Sequence, residues 1–238
     1  MSLAKLPLRI ATVLALRDLT WAGASVFDST IVPIDTKVAD EKGMLFLVVY
    51  TESSHGSGHP GHDMTGFCPN VDIVIHAAVA TSFSGTAAGT SVEIARSDAG
   101  FEAQLDIVEA QIVRVLQRDT GPWADLWRAF ARDHGEVRTR RGASARKGQR
   151  FAAREIIIPV DAVPDPVGVA GDYPWNIAVE RFADEPDLTD LSAILAGFCS
   201  DGVGLPEWRS FAGASGLDVA TARAFGFATA DGEDVVFT

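Results

Sequence analysis

Cysteine is almost absent from this sequence. Cys68 and Cys199 are the two in 238 residues, too few and too far apart for a disulfide framework. A reducing compartment is the plain expectation. Uncharged apolar runs are equally scarce, and none approaches the roughly 20 residues of a membrane span. The apolar opening MSLAKLPLRIATVLALRDL is broken by Arg9 and Arg17, and no small-residue cleavage site follows it. The sequence therefore reads as a soluble protein, intracellular when it is made. Catalytic signatures are missing too. No Gly-x-Ser-x-Gly elbow occurs. The run around Gly85 and Gly89 lacks the lysine of a phosphate loop, and Gly23, Gly85 and Gly100 form no dinucleotide fingerprint. No enzyme class is indicated, no cofactor is expected, and no internal repeat is visible.

Acidic side chains are plentiful. Asp and Glu total 32 against 20 Lys and Arg, for a net charge of −12 and a pI near 4.7. That balance argues against wholesale polyanion binding. One stretch inverts it. Between Val137 and Arg154 stand seven basic residues and no acidic one: Arg138, Arg140, Arg141, Arg146, Lys147, Arg150 and Arg154. The rest of the chain holds 13 basic against 32 acidic residues, a balance of −19. Like charges this close repel one another, and RTRRGASARKGQR has no hydrophobic periodicity, so a solvated loop at the tip of a connection is expected. Its partner would be an acidic surface: another copy of this acidic protein, or nucleic acid.

Periodicity orders the first 165 residues. Leu6, Ile10 and Leu14 mark one face of an opening helix, with Pro7 in its first turn and Gly23 as its stop. A short extended segment follows at Val26, Phe27 and Asp28. Residues 44–51 (MLFLVVYT) predict a strand buried on both faces. Residues 53–69, rich in Gly, His, Ser and Pro, predict a loop. Residues 71–81 predict a second strand, with Val71, Ile73, Ile75, Ala77 and Val79 on one face and His76 on the other. Residues 82–91 read as an exposed turn. Asp98 is placed to cap a helix over 100–118, whose Phe101, Leu105, Val108, Ile112 and Val115 recur at helical spacing. Pro122 opens another helix with Trp123, Leu126, Trp127 and Phe130 on one face. Residues 154–160 predict a strand that Pro159 allows near an edge or a strand end. The order predicts an α+β fold, a mostly antiparallel sheet with helices packed on it.

Composition shifts at Val163-Pro164-Asp165-Pro166, which divides the chain into a domain over 1–165 and a small, mainly helical extension over 166–238. In the extension, Asp187 or Thr189 is placed to cap a helix through Leu191, Ile194, Leu195 and Phe198. Further short helices are expected near Pro206 and Leu217, before a strand-like Asp234-Val-Val-Phe-Thr238. One cluster has ligand character: His55, His59, His62 and Asp63 lie within nine residues. Three imidazoles and a carboxylate suit Zn²⁺. A Gly/Pro-rich loop supplies little rigidity, and the spacing matches no helical or hairpin ligand pattern, so a solvated loop is the simpler reading.

The segment LRIATVLALRDLTWAGASVFDSTIVPID, with Gly23, Val26, Phe27 and Asp28 in a Gly-x-x-Val-[Phe/Tyr]-Asp pattern, resembles the tail terminator (tail completion) proteins of long-tailed bacteriophages and gene transfer agents. So do the apolar strand MLFLVVYT after Pro33, the strand VDIVIHAAV, the helix FEAQLDIVEAQIVRVLQ and an Arg-rich arm before REIIIPVDAV. The likeness covers residues 6–165. Typical members end soon after that last strand, so the extension lies outside it. The resemblance implies a non-enzymatic virion protein, made in the host cytoplasm, that forms a ring (hexameric in most members) on the last ring of the tail tube. Its implied partners are further copies of itself, the tail tube protein, a head–tail connector or neck protein, and DNA passing through the lumen. Arg138, Arg140, Arg141, Arg146, Lys147 and Arg150 are then the expected contact residues. The alternatives are another head–tail connector or neck protein, a metal-dependent enzyme using His55, His59, His62 and Asp63, and a nucleic-acid-binding regulator using the basic run.

Overall fold

The computed structural model describes residues 2–29, 45–56, 69–79, 84–87, 90–93, 97–144, 151–166 and 173–200. The chain divides into two compact units, Met1–Asp165 and Pro166–Thr238. The first unit is α+β. Its helices are α1 (Lys5–Leu16), α2 (Asp98–Arg118) and α3 (Pro122–Phe130). Its strands are β1 (Val26–Asp28), β2 (Phe46–Gly56), β3 (Pro69–Val79), β4 (Ser84–Ala87), β5 (Thr90–Glu93), β6 (Ala131–His134), β7 (Arg138–Ser144) and β8 (Phe151–Ala162). Six of these build one sheet in the order β1-β2-β3-β8-β6, with β7 also paired to β8; β4 and β5 form a separate hairpin. The β1–β2 pair is parallel and the other pairs are antiparallel.

The apolar spacing of α2 explains its place. Phe101, Leu105, Val108, Ile112 and Val115 are all buried, and the helix lies across β3 and β8. Each such side chain contributes about 1.5–3 kcal/mol relative to leaving it in water. Ser97 rather than Asp98 is the N-cap; its side chain accepts from the Gly100 N–H at 3.1 Å. Asp98 falls one residue inside the helix, where its charge still favours the N-terminal end of the dipole. Helix α1 packs against β1, β2 and α3 and ends at Leu16, before Gly23. Gly23 instead serves the turn that follows, at φ +54°, donating to the Thr20 carbonyl. Val26 is fully buried, and Asp28 pairs with Arg9 of α1 at 2.6 Å. In α3, Leu126, Trp127 and Phe130 are buried, while Trp123 is only partly covered.

Several expectations about strands are corrected. Strand β2 runs through Ser53 to Gly56, and β3 already begins at Pro69, so part of the expected 53–69 loop is sheet. Cross-strand pairing of Ser54, His55 and Gly56 with Val71, Asn70 and Pro69 accounts for it, past an irregularity after Thr51. The expected turn at 82–91 overlaps the β4–β5 hairpin, whose second strand runs on to Glu93. Pro159 lies in β8, which is bordered on both sides, and not at an edge. Its carbonyl accepts from the Gly135 N–H at 2.8 Å, on the side of β6 and β7. In an antiparallel strand the N–H and C=O of one residue point the same way. The donor that proline lacks therefore faces the gap between β6 and β7, and no β3–β8 bond is lost.

The second unit holds α4 (Trp175–Asp184), a 3₁₀ turn (Pro186–Leu188) and α5 (Thr189–Cys199). Trp175, Ala178, Phe182, Leu195 and Cys199 are buried, and Ser192 Oγ donates to the Val179 carbonyl at 2.8 Å, tying α5 to α4. Neither Asp187 nor Thr189 caps α5 by its side chain: the N-cap position is Leu188, and the Thr189 hydroxyl bonds back to the Glu185 and Pro186 carbonyls. The helices and strand expected beyond residue 200 lie outside the described residues. No helix among the described residues is long and apolar enough to cross a membrane.

Candidate interaction surface

The basic run is not simply a loop. Arg138 to Ser144 form β7, paired antiparallel with residues 151–157 of β8. Partner hydrogen bonds from β8 overcome the repulsion of adjacent arginines, because alternation sends neighbours to opposite faces. Arg141 and Arg154, directly opposite one another, turn toward α2. Arg138 and Arg140 belong to the other face. Among the described residues no strand pairs with the outer edge of β7, and the charges along it are what keeps an open edge from indiscriminate pairing.

Arg154 is the anchor. Its guanidinium donates to Asp106 at 2.6 Å, Glu109 at 2.8 Å and Glu102 at 3.1 Å, with the side chain only 14% exposed. Burial pulls its pKa down, but the hydrogen bonds and charges of Asp106 and Glu109 outweigh that and leave it raised. Arg141 reaches the same Glu102 at 2.6 Å yet is 66% exposed. Arg140 is 72% exposed and stands 3.8 Å from Glu155. This pair belongs to a polar row across the sheet. Glu155 Oε1 lies 3.2 Å from His76 Nε2, and the Tyr50 hydroxyl hydrogen-bonds the His76 ring. Burial, then the charges of Glu52 and Glu155, pushes the Tyr50 phenol up to about 12.

Of the residues expected from sequence, Arg138, Arg140 and Arg141 are brought onto one strand, while Arg146, Lys147 and Arg150 lie outside the described residues. Of the ligand cluster, His55 sits on β2 opposite Asn70; His59, His62 and Asp63 lie outside the described residues. Among the described residues no group of three His, Cys, Asp or Glu side chains is placed to hold a metal ion. Sequence reasoning missed the carboxylates that seat Arg154. Their signal was present: Glu102, Asp106 and Glu109 recur at spacings of four and three, an acidic stripe beside the apolar stripe of α2.

Fold and surface together define an α+β domain that carries a basic strand, its outer edge unpaired among the described residues, on an acidic body. Compared with known protein families the sequence matches none, and no curated protein matches it either.

Proposed function

We propose that this protein is a ring-forming virion subunit, a tail terminator that caps the tail tube of a long-tailed phage or gene transfer agent and joins it to the neck. The supporting observation is β7: exposed arginines at a sheet edge that no other described strand pairs, on a chain whose remainder runs at −19. A ring requires a heterologous contact, one patch meeting a different and complementary patch on the next subunit. A basic edge against an acidic flank meets that requirement, and strand addition would give the contact a fixed register. The partners are further copies of the chain, the tube protein and a neck protein, with the arginines of the arm at a subunit, tube or lumen contact. The protein acts by assembly and not by catalysis.

Native mass spectrometry over a range of concentrations, with and without isolated tail tubes, tests this. A closed ring is expected from the wild type. The triple variant Arg140→Glu, Arg141→Glu, Arg146→Glu is expected to remain a folded monomer. Rings that form unchanged in that variant remove the role given to the arm. A chain that never assembles, even on tubes, removes the ring.

A further inference from the structure

The outer side of α2 and the underside of β7 enclose an open groove of about 800 Å³. Its walls carry Arg114, Arg118 and Arg141, with Asp106 and Glu109 beside them, and Arg140 borders it while its charge faces Glu155 on the other side of the sheet. Both carboxylates are already held by Arg154, and Arg141 is held by Glu102. No described acidic side chain pairs with Arg114 or Arg118, so the groove is a seat for negative charge. One wall is also a strand whose outer edge pairs with no other described strand, which leaves its outward backbone donors and acceptors to an added strand. A polyphosphate would use the charge alone. An extended acidic peptide uses both the charge and the edge.

Spacing sharpens this. Arg114 and Arg118 stand four residues apart on α2, about 6 Å along the axis at 1.5 Å per residue. Alternate side chains of an extended strand are separated by about 6.6 Å. The matching ligand is acidic-x-acidic within a β-prone segment. This sequence holds two acidic-x-acidic pairs, Glu185/Asp187 and Asp231/Glu233. The first is fixed around the 3₁₀ turn Pro186–Leu188. The second precedes Val235, Val236 and Phe237, residue types that favour strands.

The geometry points to this groove as the docking site for residues 231–238 of a second copy of the chain, added to the edge of β7 with Asp231 and Glu233 on Arg114 and Arg118. The inference rests on the ring reading and names the contact that joins one subunit to the next.

The test is fluorescence anisotropy with a labelled peptide of residues 229–238 and two full-length receptors: the wild type, and an Asp231→Lys, Glu233→Lys chain whose own segment cannot compete. Saturable binding is expected, tighter to the second. Arg114→Glu with Arg118→Glu should weaken it by about tenfold or more, since like charges then face each other. Both arginines are exposed, so the fold should survive, which circular dichroism checks. A peptide with lysine at both acidic positions should recover binding to the reversed groove. Absence of binding to either receptor, or binding indifferent to charge reversal, overturns the inference. If the wild type still assembles in that case, the ring reading stands without it. If the peptide binds but the chain stays monomeric on tail tubes and at every concentration, the second copy and the ring both fall.

Discussion

Arg154 and Arg140 belong to one basic run and lie on adjacent, paired strands, yet they have opposite environments. Arg154 is 14% exposed and held by three carboxylates of α2; Arg140 is 72% exposed and has one distant partner. The difference comes from strand alternation. One parity of the β7–β8 pair faces the helix and the other faces away. A run of like charges in a sequence is therefore not one feature. Here it contains an anchor that fixes β8 to α2, and a display that the neighbouring strand β7 presents.

The comparison breaks if Arg154 is dispensable. Arg154→Ala leaves Asp106 and Glu109 beneath the sheet without a cation, and Glu102 with only the exposed Arg141. Removal of one partner of a buried ion pair costs about 3–5 kcal/mol. Asp106 is well exposed, so solvent should reduce the loss here to about 2–3 kcal/mol in urea unfolding. Arg140→Ala is expected within about 0.5 kcal/mol of wild type, as for other exposed sites. Equal losses in the two variants would erase the distinction between anchor and display.

This distinction also marks what the sequence revealed and what it left out. Apolar periodicity located α2, α3, β2 and β3, because Phe101 to Val115 and Val71 to Val79 each obey one period over many residues. It did not locate β7. Residues 138–144 contain three arginines and no apolar alternation, and they form a strand because β8 offers them hydrogen bonds. Pro159 misled for a related reason: its position is permitted by the gap between two partner strands, a tertiary fact. In the candidate surface, the excess of arginine was legible, but the assignment of each arginine to a face required the register.

The opposite face offers a second contrast. Tyr50 belongs to the row that ends at Arg140, and its phenol is raised from about 10 to about 12, chiefly by burial. Folding thus favours the protonated phenol. The associated stability is fully present below pH 10 and is lost as pH rises from about 10 toward 12. Two outcomes are expected. In a tyrosinate absorbance titration, one of the two tyrosines should ionise near pH 12, and that component should vanish in Tyr50→Phe. The fall in melting temperature above pH 10 should be shallower in the same variant. Ordinary titration of both tyrosines would show that the row is open to water.

The finest test uses a single carboxylate. Glu102 accepts from Arg141 at 2.6 Å and from Arg154 at 3.1 Å. Distance alone ranks the Arg141 bond as the stronger. Exposure ranks it as the weaker, because Arg141 is 66% exposed and its charge is screened by water and salt. Double-mutant cycles between Glu102→Gln and each arginine→Met decide between these rankings. Coupling to Arg141 should be about 0.2–1 kcal/mol and should shrink in high salt, as for surface pairs. Coupling to Arg154 should be larger and less sensitive to salt, since that guanidinium is mostly withdrawn from solvent. If the Arg141 coupling proves larger, β7 is clamped to α2 by its own arginine as well as through its pairing with β8, and its edge is held more rigidly than the exposure of its side chains implies.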